Sequence, residues 1–199
     1  MTEQQIQLSP NDLASLLADS SDQNDSNTTL RHMGIYYIPH EINTQNLTEI
    51  QQDILLKHLS GFNEELQIII NSIGGAADPT WALINLMEFV KQDITTIGIG
   101  SVCSAATQIL AAGTPGKRKA TKNALLMTHR FSCEFGGSEA ELVAAGKGVK
   151  LEHQRDLQFW LEHSNLKTIK EVESKILQQT DTWMTTKDAK KLGIIDTII

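Results

Sequence analysis

Cysteine is nearly absent: Cys103 and Cys133 are the only two in 199 residues. Two cysteines cannot supply a disulfide framework, and this pair lacks metal-ligand spacing. A reducing, cytoplasmic compartment is therefore the expectation. Long apolar runs are missing too. No stretch approaches the roughly 18 apolar residues of a membrane span. The start, Met1-Thr2-Glu3-Gln4-Gln5, has no basic segment with an apolar core behind it, so an ordinary secretory signal is not expected. Positive charge is in deficit. A net charge of −7 argues against a general nucleic-acid binder and fits a protein kept dispersed by its charge.

What remains is ordinary globular material, 40% hydrophobic and 21% charged. The length suits one domain with a real core, or one domain plus an appendage. Residues 1–32 form a polar N-terminal arm. Residues 20–29 are almost wholly Ser, Asp, Asn, Gln and Thr and bury too little apolar surface to offset their ordering entropy. Disorder or only local order is expected there. Within the arm, Ser9-Pro10 followed by Leu13, Leu16 and Leu17 reads as a short capped helix.

From Met33 the pattern is α/β. Strands are expected over 34–38, 66–70, 94–99, 125–127 and 194–199, where short β-branched or apolar runs are bounded by turn residues. Helices are expected over 46–59, 104–112, 138–164 and 185–192 from their apolar spacing and caps. A further helix to about residue 90 opens at Asp78-Pro79, with Asp78 as cap. Residues 100–103 read as a turn. Strands alternating with helices imply a largely parallel sheet with crossover helices.

Three segments carry chemistry. In Asn71-Ser72-Ile73-Gly74-Gly75 the paired glycines permit φ > 0 and a close approach, and free N–H groups there suit an oxyanion. A plain strand-to-helix turn explains the pair equally well. In Gly100-Ser101-Val102-Cys103-Ser104-Ala105-Ala106 a serine sits between strand and helix among small residues, the arrangement of a nucleophile elbow. The same serine also reads as a helix cap. Ser101 and Cys103 are its rivals as nucleophile. In Met127-Thr128-His129 a histidine ends a buried strand, where α/β ligand sites lie; a structural histidine is the alternative.

Taken in order, these segments resemble the ClpP family, the proteolytic subunits of Clp proteases. The family pattern Ile-Asn-Ser-Pro-Gly-Gly appears as Ile70 to Gly75, with Ile73 in place of proline. A Gly-x-Ala-x-Ser-type turn appears as Gly100 to Ser104, with Val102 and Cys103 replacing small residues. Gly116-Lys117-Arg118 and the strand ending at His129 follow at matching intervals. The family's aspartate segment appears as Asp181-Thr182-Trp183-Met184-Thr185, before Gly193-Ile194-Ile195-Asp196. The resemblance runs from about Ile35 to the C-terminus. Residues 130–135 make the stretch after the histidine about three residues longer than usual. The family's axial-loop sequence is not recognisable in residues 1–32, and Gln67 and Ile69 stand where aromatics often precede Asn71.

The resemblance implies a ClpP/crotonase-like α/β fold of repeated β-β-α units over 33–199, with a protruding handle at about 130–164. It implies a serine-type endopeptidase with Ser104 as nucleophile, His129 as base and Asp181 orienting the base. The backbone N–H groups of Gly75 and Ala105 would form the oxyanion hole. No metal or organic cofactor is needed, and the substrates would be peptides or unfolded proteins. The implied assembly is a homo-oligomer of stacked heptamers, with an AAA+ unfoldase as a possible partner and no nucleic acid or membrane. A dedicated maturation peptidase and a catalytically silent ring subunit are the alternatives. Lys117-Arg118-Lys119 with Lys122 reads as a solvated edge that pairs with acids of another subunit or holds an anion. His32, His40, His58, His153 and His163 read as surface or interface groups. Leu142, Val143, Val149, Leu151, Leu157, Phe159, Trp160 and Leu161 on the long helix do not share one narrow stripe, which marks an interface.

Overall fold

The computed structural model describes residues 23–199. In chain order the first elements are α1 (Gln23–His32), β1 (Ile35–Ile38), α2 (Thr44–Leu59), β2 (Leu66–Ser72), α3 (Ala77–Phe89), β3 (Ile94–Cys103) and α4 (Ala105–Ala111). Then come β4 (Arg118–Ala120), β5 (Leu125–Thr128), α5 (Glu139–Glu162), α6 (Ile169–Lys175), β6 (Thr182–Thr185), α7 (Thr186–Leu192) and β7 (Thr197–Ile198). The sheet runs β1-β2-β3-β4-β7 with parallel neighbours; β5 pairs with β3, and β6 adds antiparallel to β5. This is the α/β, ClpP-like fold expected.

Alternation within β2 shows how the sheet is held. Leu66, Ile68, Ile70 and Ser72 are buried, while Gln67, Ile69 and Asn71 are half-exposed. A period of two gives such a strand one core face. Leu47, Ile50 and Ile54 of α2 and Leu83, Ile84 and Met87 of α3 belong to the same core. Fully burying each such side chain stabilises by about 1.5–3 kcal/mol before entropy is subtracted.

Several expectations are corrected. The turn expected at residues 100–103 is strand: β3 leaves β4 after Gly98 and pairs Ser101, Val102 and Cys103 with β5. Gly100, at φ 59, makes the bend, and the Asn71 side chain accepts from the Ser101 N–H at 3.1 Å. Asp78 is not the cap of α3; Ala76 is, without a side-chain bond. Ala76 N–H already donates to Ile42 O, so the helix starts as soon as the glycine pair is passed. The final strand is only Thr197–Ile198, and β4, β6 and α6 were not foreseen. The basic edge finds its acids within the chain: Lys117 pairs with Glu65 and Asp93, and Arg118 with Asp196.

In the polar arm, residues 23–32 are helical, and Arg31 pairs with Glu49 of α2 at 2.7 Å. The capped helix read at Ser9 to Leu17 lies outside the described residues. Among the described residues no helix is long and apolar enough to cross a membrane. Helix α5 opens on a capping box, in which Ser138 and Glu141 exchange bonds. Its two halves differ. Leu157, Phe159 and Trp160 are buried, whereas Leu142, Val143 and Leu151 are exposed.

Candidate active site

The site grows from the point where β3 ends beside β5. Cys103 is the ladder partner of Met127, and the next residue, Ser104, donates its N–H to Met127 O at 2.7 Å. Thr107 Oγ1 ties the same corner together by donating to Val102 O at 2.7 Å and Met127 O at 2.9 Å. The chain must turn sharply here to enter α4. Ser104 takes φ 56 and ψ −127 and is the sole non-glycine residue with positive φ among the described residues. Such a conformation costs of order 1–3 kcal/mol and persists only where the surroundings enforce it. The Ser104 side chain makes no cap bond to the helix, so the simple capping alternative is not what it does.

Instead, Ser104 Oγ lies 2.7 Å from Nε2 of His129. His129 follows Thr128, whose hydroxyl donates to Ile176 O at 2.7 Å and fixes the end of β5. Asp181 immediately precedes β6. Thr182 is paired with Thr128, so Asp181 is the next residue beyond that rung, as His129 is on the other strand. The Asp181 side chain is exposed and makes no hydrogen bond to His129. Its charge is nonetheless felt locally. Burial pushes the Cys103 thiol pKa up, and the Asp181 carboxylate pushes it further. Cys103 is 3% exposed, and with its thiolate suppressed it is poorly suited to be the nucleophile.

The glycine pair is built into this corner. A Cβ on Gly74 would lie 2.6 Å from Cys103 O and 2.8 Å from Ser104 Cβ; one on Gly75 would lie 2.1 Å from Ile42 O. Gly74 N–H is occupied by Ser72 Oγ at 3.1 Å. The N–H groups of Gly75 and Ala105 meet no acceptor among the described residues, and both residues line the cleft beside Ser104.

This cleft measures about 560 Å³ and runs between α3, α4, α5 and the segment after His129. Two of its residues were missed in the sequence, Gln108 and Asp156. Gln108 Nε2 donates to Asp156 Oδ1 at 3.0 Å. Asp156 is buried, at 6% exposure, and burial pushes its carboxyl up to about 6, against the bond from Gln108. The available signal was a charged residue four positions before Trp160, on the stripe that α5 buries.

The Clp protease family model matches residues 19–199. The chain belongs to the Clp protease family. Two relatives bear this out at modest identity. One is an ATP-dependent Clp protease proteolytic subunit 1 of Leifsonia xyli subsp. xyli, 30% identical over 164 residues, 82% of this chain and 82% of that protein. The other is an ATP-dependent Clp protease proteolytic subunit 4 of Streptomyces avermitilis, 31% identical over 167 residues, 83% of this chain and 72% of that protein. In the glycine loop Ile73 is 66% exposed. After His129, residues Phe131, Ser132, Cys133 and Phe135 contribute to the cleft.

Proposed function

We propose that this chain hydrolyses peptide bonds as a serine peptidase subunit. The observation that carries the reading is the 2.7 Å contact between Ser104 Oγ and His129 Nε2 at the one strained non-glycine corner among the described residues. His129 takes the Ser104 proton as Oγ attacks the carbonyl carbon, and returns it to the leaving amine. The Gly75 and Ala105 N–H groups, free of other acceptors, receive the oxyanion. Water then attacks the acyl-enzyme with His129 again as base. Asp181 orients the imidazole. Its support is its position one residue beyond the Thr128–Thr182 rung, from which a side-chain rotation would carry the carboxylate toward His129.

The wider setting follows from family membership. Stacked heptamers would enclose the sites in a chamber, in the cytoplasm, and an AAA+ unfoldase would supply unfolded chains. A dedicated maturation role uses the same chemistry. The lack of a hydrogen bond between Asp181 and His129 favours a second reading, a silent subunit that only completes a ring. Fluorophosphonate labelling, with the adduct located by peptide mass spectrometry, separates the two. Modification of Ser104 is expected; an unmodified Ser104 in the intact assembly would favour the silent subunit.

A further inference from the structure

The cleft beside Ser104 has a floor that peptide hydrolysis alone does not explain. Ser104 is the N-cap of α4 and its carbonyl accepts from the Gln108 N–H at 3.4 Å, so Gln108 stands one helical turn further on, and both line the cleft. Asp156 is hydrogen-bonded to Gln108 and therefore lies just beyond, at the reach of a long side chain extending from the reacting carbonyl. A buried carboxylate is costly unless it is paired. Here Asp156 has one neutral hydrogen bond, to Oδ1. Its Oδ2 has no hydrogen-bond partner among the described residues, is not sealed off, and belongs to a residue that lines the cleft.

Among the described residues no lysine or arginine lines this cleft; Asp78 lines it as well, and so does Glu152, which is paired with Arg155. Arg155, the neighbouring residue on α5, pairs with Glu152 and lies over the Trp81 ring at 4.3 Å, at the margin of the cleft; its charge and that of His153 offset the burial of Asp156 only in part. The cleft that Ser104 and Asp156 share is also lined by small and apolar residues, among them Gly75, Ala76, Gly148 and Val149. Such walls suit an aliphatic stem that carries a charged head.

We propose that this cleft selects a cationic side chain, lysine or arginine, on the substrate residue whose carbonyl Ser104 attacks, with Asp156 and Gln108 as the groups that recognise it. The proposal rests on the peptidase reading of Ser104. A substrate cation completes the hydrogen bonding of Asp156 and cancels its buried charge, while the Gln108 carbonyl accepts a second N–H. An apolar side chain of equal length leaves the carboxylate buried and unpaired, and a site of that kind discriminates strongly.

The test uses the full chain in its native assembly and fluorogenic peptides that differ only in this residue: Arg, Lys, Leu and Phe. Arg and Lys should exceed Leu and Phe in kcat/KM by at least about tenfold. Asp156→Asn and Asp156→Leu should each collapse that ratio, with sedimentation and thermal unfolding confirming that the variants are folded and assembled. Labelling of Ser104 by a neutral fluorophosphonate is measured in parallel on the unaltered chain. Labelling together with a preference for Leu or Phe, or a ratio unchanged by both substitutions, would overturn the cationic pocket alone. Absence of labelling would overturn the peptidase reading and the pocket with it.

Discussion

Ser104 Oγ and His129 Nε2 meet at 2.7 Å although 25 positions separate them in the chain. The β3–β5 ladder makes the meeting, because Cys103 and Met127 are partners and the two chemical residues lie just past them. In the proposed mechanism the pair acts as a unit, so removing one member should remove almost all turnover. Ser104→Ala should lower kcat on the order of 10⁶-fold, as loss of the serine does in a well-studied serine protease. Ser104→Gly should be equally inactive yet more stable than Ser104→Ala by about 1 kcal/mol, because glycine adopts φ 56 without strain. Peptide hydrolysis and denaturant unfolding of both variants check this. Near-normal turnover in Ser104→Ala would end the assignment.

The glycine loop should tolerate no side chain. At Gly74 the obstructing atoms are Cys103 O and Ser104 Cβ, neither of which can swing away. At Gly75 the obstruction is the Ile42 backbone, which pairs with the loop on its other side. Gly74→Ala should therefore shift the loop away from Ser104. It should cost about 10²–10³ in kcat, the size of a lost oxyanion donor. A KM little changed alongside that fall would locate the loss in the transition state.

Asp156 should make the protein less stable at neutral pH than it need be. Its carboxyl is raised from 3.8 to about 6, first by burial, with Glu152 adding and the Gln108 bond, Arg155 and His153 opposing; Asp78 and His129 share the cleft. The folded state thus holds the proton more tightly than the unfolded chain. Stability is highest below the unfolded value, falls as pH rises from about 4 to about 6, and stays lower above that. The difference amounts to about 3 kcal/mol. Asp156→Asn should lack this fall and exceed the unaltered protein in denaturant midpoint at pH 7.5. Parallel stability profiles for the two proteins across that range would contradict the raised carboxyl. A group that costs stability in the cleft that Ser104 also lines fits a residue kept for binding.

The opposite behaviour is expected at Asp196. Burial disfavours its ionised form, but Arg118 Nε and Nη2 at 2.9 and 2.7 Å outweigh this, helped by the N–H groups of Arg118 and Gly116. The carboxyl is held below its ordinary 3.8. Its contribution is present above that value and lost as pH falls through the lower folded one. Asp196→Asn should destabilise at pH 7 by about 1.5–3 kcal/mol, the scale of hydrogen bonds to a charged group. The deficit should shrink in acid, as measured by urea unfolding at pH 7 and about pH 3.

Much of this was legible because the informative residues are backbone punctuation. Gly74-Gly75, the small residues around Ser104 and the strand ending at His129 each demand a local conformation, and their order carried the family resemblance. The Asn71 contact that extends β3 through residues 100–103 is long-range and left no local trace. Gly100 reads as a turn signal when it is in fact a bend within a strand. Lys117 and Arg118 were expected to pair with acids of another subunit or to hold an anion because Glu65, Asp93 and Asp196 are distant in sequence and adjacent only once β2, β3 and β7 are laid together. Gln108 and Asp156 were hidden for the same reason, since 48 positions separate them.

Helix α5 sets the last prediction, which concerns assembly. Its second half is anchored: Phe159 packs edge-on against Trp81 and Trp160, and Leu157 is buried. Its first half presents Leu142 at 47%, Val143 at 71% and Leu151 at 58% exposure. Three large apolar side chains on one protruding half-helix have no partner in the core, and burying each against another copy of the chain would gain about 1.5–3 kcal/mol. A ring–ring contact repeats that gain at every subunit, so small losses per subunit multiply. In the proposed stacked rings, Val143→Glu or Leu151→Glu should therefore yield single rings, while the circular dichroism spectrum shows the fold, anchored by Phe159 and Trp160, retained. Sedimentation velocity at micromolar concentration distinguishes the two sizes. If both variants sediment like the unaltered chain, this half of α5 does not join the rings, and the contact must be sought in the segment that follows His129.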